Sequence, residues 1–156
     1  MNTTHCADDR RAALCRMMET YGDAVLRTCY LLCGELRIAR PAAQRVFLRA
    51  AVCPEAWTGL SAGCALPGLL RICMRECPCR LFLLRPPQAA GPVSALLRLP
   101  PGERRAAVLC LYHGLSPADA ARVLHTGERT VVRRLARARR RLAGQNKRGR
   151  LPDSLL

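Results

Sequence analysis

The chain has 156 residues, 26 of them Lys or Arg against 11 Asp or Glu, for a net charge of +15, and half of its residues are apolar. That length holds one ordinary domain or two small ones, and that charge points to polyanionic partners. No apolar run approaches the ~18 residues of a membrane span and no secretory leader is visible, which excludes a membrane-spanning chain and predicts a cytoplasmic protein with reduced thiols.

From Ala12 to Leu32, the residues Leu14, Met17, Met18, Tyr21, Val25, Cys29 and Leu32 recur at helical spacing and predict one long helix, closed by Gly34. Pro41 reads as the start of a second helix, with Ala43, Val46, Phe47 and Ala50 inward and Cys53-Pro54 as its end. Residues 57–67 read as loop, punctuated by Gly59, Ser61, Gly63 and Pro67. Leu69, Ile72, Cys73, Leu81 and Leu84 mark the apolar face of a third helical stretch, which Pro78 should kink or split. Arg71, Arg75, Arg80 and Arg85 run alongside it. Residues 86–95, PPQAAGPVSA, form a semi-rigid linker by composition.

The segment from Leu99 to Leu142 is the most informative. Ser116 suits an N-cap, Pro117 a first helical position and Asp119 a capping-box acid. Ala120, Ala121, Val123 and Leu124 then give a short helix a small inner face, and His125-Thr126-Gly127 makes a turn, with Gly127 as the next cap. In the helix that follows, Val131, Leu135, Ala138 and Leu142 mark a buried stripe. A rotation of about 100° per residue puts Arg129, Arg133, Arg137 and Arg140 on the far side, flanked by Val132 and Ala136. An inward apolar seam with an outward cationic one, after a short helix and a tight turn, is the layout of a helix-turn-helix reader of the DNA major groove.

Charge placement agrees. Residues 129–156 hold ten Lys or Arg and one acid, Asp153, so +9 of the +15 lies there. Such a field attracts polyanions and makes their binding salt-dependent. Of the 26 basic residues 25 are Arg, suited to phosphate forks and bidentate guanine contacts. A GC-rich genome would also enrich Arg, Ala, Pro and Gly, so the clustering carries more weight than the total.

The ten cysteines suggest a disulfide or metal framework, but neither is expected. Cys15, Cys29, Cys33, Cys73 and Cys110 fall within apolar helical patterns, where Cys acts as a small hydrophobe. The cluster Cys73, Cys77, Cys79, with Cys64, lacks the paired C-x2-C spacing of structural zinc and has no nearby histidine. No metal and no cofactor are therefore expected. Acids are few and scattered, and no phosphate-binding Gly-rich loop, G-x-S-x-G elbow or H-E-x-x-H helix occurs, so no catalytic residues and no enzymatic activity are predicted. His113 and His125 sit beside turns. The expected architecture is all-α, two small helical domains joined by a Pro-rich linker: residues 10–85, the linker 86–95, a helix-turn-helix domain at 96–144, and a basic tail at 145–156.

In this order the pieces resemble the extracytoplasmic-function type of bacterial RNA polymerase sigma factor, over roughly residues 10–145. The resemblance is carried by LPPGERRAAVLCLYHGLSPADAARVL and GERTVVRRLARARRRL in the C-terminal third, by YGDAVLRTCYLLCG and QRVFLRA near the N-terminus, and by LLRICMR between them. It implies a transcription initiation factor whose partners are promoter DNA, core RNA polymerase and an anti-sigma factor, with no membrane, and which is a monomer when free. The N-terminal, region 2-like domain would dock on the polymerase through Gln44, Arg45, Phe47, Leu48 and Arg49, and capture bases of the opened downstream promoter element near Arg71, Arg75 and Arg80. The C-terminal, region 4-like domain would read the upstream element with Glu128, Arg129, Thr130, Val132, Arg133, Ala136 and Arg137, while Arg134, Arg140 and Arg141 touch phosphates.

The departures from the family pattern matter. Residues 36–54 contain no Asp or Glu where family members carry several. Gly68 stands where a tryptophan is usual, losing either a base-stacking platform or a core side chain. His125 replaces a favoured glycine in a turn that calls for positive φ. A diverged sigma factor is thus the leading expectation. Its alternatives are a helix-turn-helix DNA-binding regulator that has lost polymerase docking, and a sigma-like interaction protein that sequesters an anti-sigma partner.

Overall fold

The computed structural model describes residues 3–52, 65–77 and 91–146, with side chains from 11 to 144 within those spans. Among the described residues there are helices and turns but no strand, and no helix is long and apolar enough to cross a membrane. Trp57, Cys64, Pro78, Cys79, Arg80, Leu81, Leu84 and Arg85, residues 86–90 of the linker and residues 147–156 of the tail lie outside the described residues.

Helix α1 runs Thr3–Cys33 and stops at Gly34, whose φ of 76° continues the chain in the left-handed region. The Gly34 N–H closes the end on the Tyr30 carbonyl at 2.7 Å, and a Cβ at Gly34 would collide with the side chain of Leu97. Met17, Val25, Cys29 and Leu32 are buried as their spacing predicts, but Met18 is 47% exposed and Cys15 is exposed. Helical phase sets where a side chain points; burial also needs a facing element.

Helix α2, Leu36–Val52, begins five residues before the proline expected to open it. The Ile38 and Ala39 N–H groups both reach the Glu35 carbonyl, at 3.1 and 2.9 Å, and Ala39 and Ala42 are buried. Pro41 withholds a donor from the Arg37 carbonyl, yet both residues are exposed, on the side of α2 where solvent can replace that bond. Helix α3 spans Leu66–Glu76, with Pro67 in its first turn rather than in a loop, and it ends two residues before Pro78.

Helix α4, Pro92–Leu97, occupies part of the stretch expected as linker. Gly91, at φ 67°, allows the sharp entry, Pro92 begins the helix, and burial of Ala95 and Leu97 holds it. Helix α5, Pro101–Ala107, passes into one π turn, Val108–Tyr112, in which the His113 N–H bonds the Val108 carbonyl at 3.1 Å. Helices α6, Pro117–Leu124, and α7, Glu128–Asn146, complete the fold.

One apolar core runs through both halves, joining Val25 and Leu32 of α1, Val46 and Phe47 of α2, and Leu69 and Leu70 of α3 to Val108, Leu109, Val123 and Val131. Each fully buried side chain of this size contributes roughly 1.5–3 kcal/mol. A smaller cluster of Leu99, Ala107 and Ala138 seats α7.

Polar ties cross the same junction. Arg104, 2% exposed, donates from Nη1 to the Leu32 carbonyl at 2.9 Å, and from Nη2 to the Leu97 and Leu99 carbonyls at 2.6 and 3.1 Å. These include carbonyls at the ends of α1 and α4 that their own helices leave unpaired. The Thr28 hydroxyl donates to the Ala24 carbonyl at 2.6 Å, so its oxygen is left to accept from His113 Nε2 at 2.8 Å. Burial holds the His113 imidazole below its ordinary pKa, in keeping with a neutral ring in this contact.

Candidate nucleic-acid interface

The reader half is built from local chemistry outward. The Asp119 N–H donates to Ser116 Oγ at 3.1 Å, which makes Ser116 the cap of α6. The Asp119 carboxylate does not complete a capping box; it accepts from the Ser116 hydroxyl at 2.6 Å and from Arg122 at 3.1 Å. The helix ends in a Schellman arrangement, with Thr126 N–H on the Ala121 carbonyl at 3.1 Å and His125 N–H on that of Arg122 at 3.5 Å. His125 occupies the left-handed position, φ 49° and ψ 50°, that usually falls to glycine. This turn sets the angle between α6 and α7.

Helix α7 begins after Gly127, whose carbonyl accepts from the Thr130 and Val131 N–H groups at 2.9 and 3.2 Å. Val131, Leu135 and Ala138 are buried and Leu142 half-buried, so the predicted stripe is the seam that packs inward. The opposite face carries exposed Glu128, Arg129, Val132, Arg133, Ala136, Arg137 and Arg140. The first five of these line a shallow open hollow. Among the described residues none of Arg129, Arg133, Arg137 and Arg140 pairs with a carboxylate. Four guanidinium groups on about three turns thus project a field that nothing on their own helix neutralises, apart from Glu128 at its start.

The other predicted residues of α7 are differently placed. Thr130 and Arg134 are half-buried, and Arg134 lies over Gly102 of α5. Arg141 is engaged: its Nε sits 3.1 Å from Glu103 Oε2, a carboxylate only 8% exposed. That pair ties α7 to α5, so Arg141 differs from Arg140 in having a partner within the fold.

In the N-terminal half the predicted residues do not form one surface. Phe47 is buried and belongs to the core, so it is removed from the polymerase-facing set; an aromatic at that phase of α2 points at α1 and α3. Gln44, Arg45, Leu48 and Arg49 are exposed on the outer side of α2. Arg45 and Arg49 converge on Glu76 at the end of α3, at 3.0 and 2.5 Å. Arg71, expected on the strand-binding side, is half-buried and donates from Nη2 to the Arg122 carbonyl at 3.2 Å, capping α6 from the other half of the molecule. Arg75 is exposed. Gly68 is buried, which makes core packing the property that a larger side chain there would change.

Three functional features escaped the sequence: Arg104 as the buried tie between halves, Glu103 as partner of Arg141, and Glu76 as the acid that faces the acid-free α2. Only the last had a readable signal, an isolated acid in an arginine-rich segment. Among the described residues no group of three or more His, Cys, Asp or Glu is arranged to hold a metal ion.

Comparison with known proteins bears out the resemblance over the C-terminal third. Residues 93–142 match the family described as sigma-70, region 4. That span opens in α4, takes in the helix-turn-helix and ends where the buried stripe of α7 ends. No curated protein matches the chain. Among solved structures it is similar to a chain of the RsbN–BldN complex, with 26% identity over 90% of this chain and 96% of that one, and a TM-score of 0.39.

Proposed function

We propose that the chain is a sigma factor of the extracytoplasmic-function type, which directs core RNA polymerase to promoters through the outward face of α7. The observation that carries this is the cationic face of Arg129, Arg133, Arg137 and Arg140, in no ion pair among the described residues, within a segment that matches sigma region 4. A guanidinium without an internal carboxylate partner loses little by moving to a guanine edge or a phosphate. The flanking Val132 and Ala136 offer apolar contact to thymine methyl groups. Glu128 adds an acceptor for a cytosine amine. Arg140 is assigned to phosphate contact, and Arg75 to the opened strand. No chemistry is assigned to the chain itself; the polymerase would supply it.

A second role, as a DNA-binding regulator without polymerase docking, is favoured by the surface of α2. There the exposed arginines converge on Glu76, and α2 itself bears no acid. One experiment separates the two. The chain is mixed with core polymerase at low salt, and the complex is footprinted on genomic DNA and supplied with nucleotides. Co-elution with the core and start-site-specific transcripts support the sigma role. Sequence-selective duplex binding without core binding supports the regulator. Absence of core binding at low salt excludes the sigma role, and equal affinity for scrambled duplexes at physiological salt excludes the regulator.

A further inference from the structure

We propose that Gly102 and Glu103 are positioning residues of the reader: through Arg134 and Arg141 they fix the roll of α7 about its own axis, a role that rests on the reading of α7 as the DNA-contacting helix. The turn at His125 sets the angle between α6 and α7. Angle alone does not decide which side chains of α7 face a duplex; roll does. On a helix about 10–12 Å across, a roll of about 20° carries a side-chain tip roughly 2 Å sideways. Donor and acceptor must come within about 2.7–3.2 Å of each other, so a displacement of that size breaks a bidentate contact to a base edge.

Among the described residues the element that packs most extensively against α7 is α5, more than the α6 that precedes it. Arg134, Ala138 and Arg141 lie within about 60° of one another by helical phase, and all three meet α5. The Arg134 side chain lies over Gly102, where a Cβ would stand 3.1 Å from Nε and 3.3 Å from Cζ. Glycine is a poor helix residue, and here it leaves room for the guanidinium. Ala138 is buried against Leu99 and Ala107. Arg141 Nε stands 3.1 Å from Oε2 of Glu103, whose side chain is 8% exposed. The approach is not aligned as a hydrogen bond, so charge holds it. A carboxylate so far from water needs a cation beside it, and among the described residues Arg141 is its ion-pair partner. Two arginines about two turns apart on α7 thus converge on adjacent residues in the first turn of α5, with the small Ala138 between them. Held in this way, they orient the helix that presents Arg129, Arg133 and Arg137.

The test uses the full-length chain and a duplex that the wild type selects from a random pool, with and without core RNA polymerase. The readout is selectivity, the ratio of affinities for the selected and a scrambled duplex. Partial unfolding lowers both affinities together and leaves that ratio unmoved, so a merely structural role would not change it. Glu103→Gln keeps the shape and removes the charge. It should lower selectivity about tenfold, the loss of one bidentate base contact, and leave binding to the scrambled duplex nearly unchanged because the outward arginines remain.

Arg141→Ala should lower selectivity as far, and the double variant no further than either change alone, because both remove one interaction. Gly102→Ala, which displaces Arg134, should lower it in the same sense. If Glu103→Gln fails to fold, Arg141→Ala decides, since the Arg141 side chain is 57% exposed. Unchanged selectivity in Arg141→Ala, or in a folded Glu103→Gln, overturns the proposal and leaves the reader intact. So does an equal loss on both duplexes in Arg141→Ala with a salt slope lower by about 1, which would make Arg141 a phosphate contact. A wild-type chain that selects no duplex overturns the reading of α7 itself, and the proposal with it.

Discussion

On α7, Arg129, Arg133, Arg137 and Arg140 stand exposed and, among the described residues, in no ion pair, whereas at the junction of the halves Arg104 and Arg71 spend their donors on backbone carbonyls. On α2, Arg45 and Arg49 converge on a Glu76 carboxylate that is 10% exposed. One residue type thus serves as free charge, as helix-end cap and as ion-pair member within 156 residues. What separates these uses is the set of acceptors that the fold brings within reach. An arginine count locates a nucleic-acid surface only after the arginines that the protein consumes itself have been subtracted.

The sharpest way to break this distinction is Arg104→Met. Removing the guanidinium leaves buried carbonyls at the ends of α1 and α4 without donors, at about 1–3 kcal/mol each. A total loss of roughly 3–5 kcal/mol is expected, read from the urea midpoint, with Arg104→Lys failing to restore it because an ammonium lacks the planar fork. A loss under ~1 kcal/mol would mean that the junction does not depend on this cap.

Arg133→Ala tests the opposite class. It should leave the urea midpoint within about 0.5 kcal/mol, since no partner among the described residues is lost. Affinity for the selected duplex should fall by ~1–3 kcal/mol, and discrimination at one base pair should relax with it. Arg140→Ala should instead weaken all duplexes alike and lower the salt slope by about 1. Matching effects from the two variants would erase the division between base and phosphate contacts on this face.

The ease with which these roles were foreseen differs for physical reasons. Ser116, Pro117 and the stripe Val131, Leu135 and Ala138 were legible because caps and helical phase are local properties, set by neighbours within four residues. Arg104 was not. In LPPGERR it reads as a solvated charge, and its burial depends on the Leu32 carbonyl, 72 residues away. Phe47 was assigned to a surface by motif and to the core by phase, and phase prevailed. Pro41 misled because a proline on the wet side of a helix costs only a bond that water replaces. The tie between Thr28 and His113 joins residues 85 apart, and no local pattern announces it.

Glu76→Gln addresses the intermediate class. The carboxylate is largely buried but both arginines are about half exposed or more, so the pairs are partly screened. Stability should drop by about 1 kcal/mol or less, and the drop should shrink further at high salt. The surface of α2 would become more cationic. If polymerase binding strengthens or weakens in this variant while duplex binding by α7 stays constant, the two basic regions act independently.

The smallest expected effect lies in the turn that aims α7. His125 holds φ 49°, where a Cβ costs about 1–2 kcal/mol. Glycine would remove that cost, but it also gives the unfolded chain more freedom, which takes back roughly 0.5–1 kcal/mol. The net gain for His125→Gly should therefore be about 0.5–1 kcal/mol, measured as a higher urea midpoint. Because the side chain is exposed and the Schellman bonds are made by backbone, the angle between α6 and α7 should persist, and duplex affinity with it. A variant that is stabilised yet loses selective DNA binding would show that the imidazole reaches the duplex. His125 would then belong with the free arginines of α7 and not with the residues that the fold consumes.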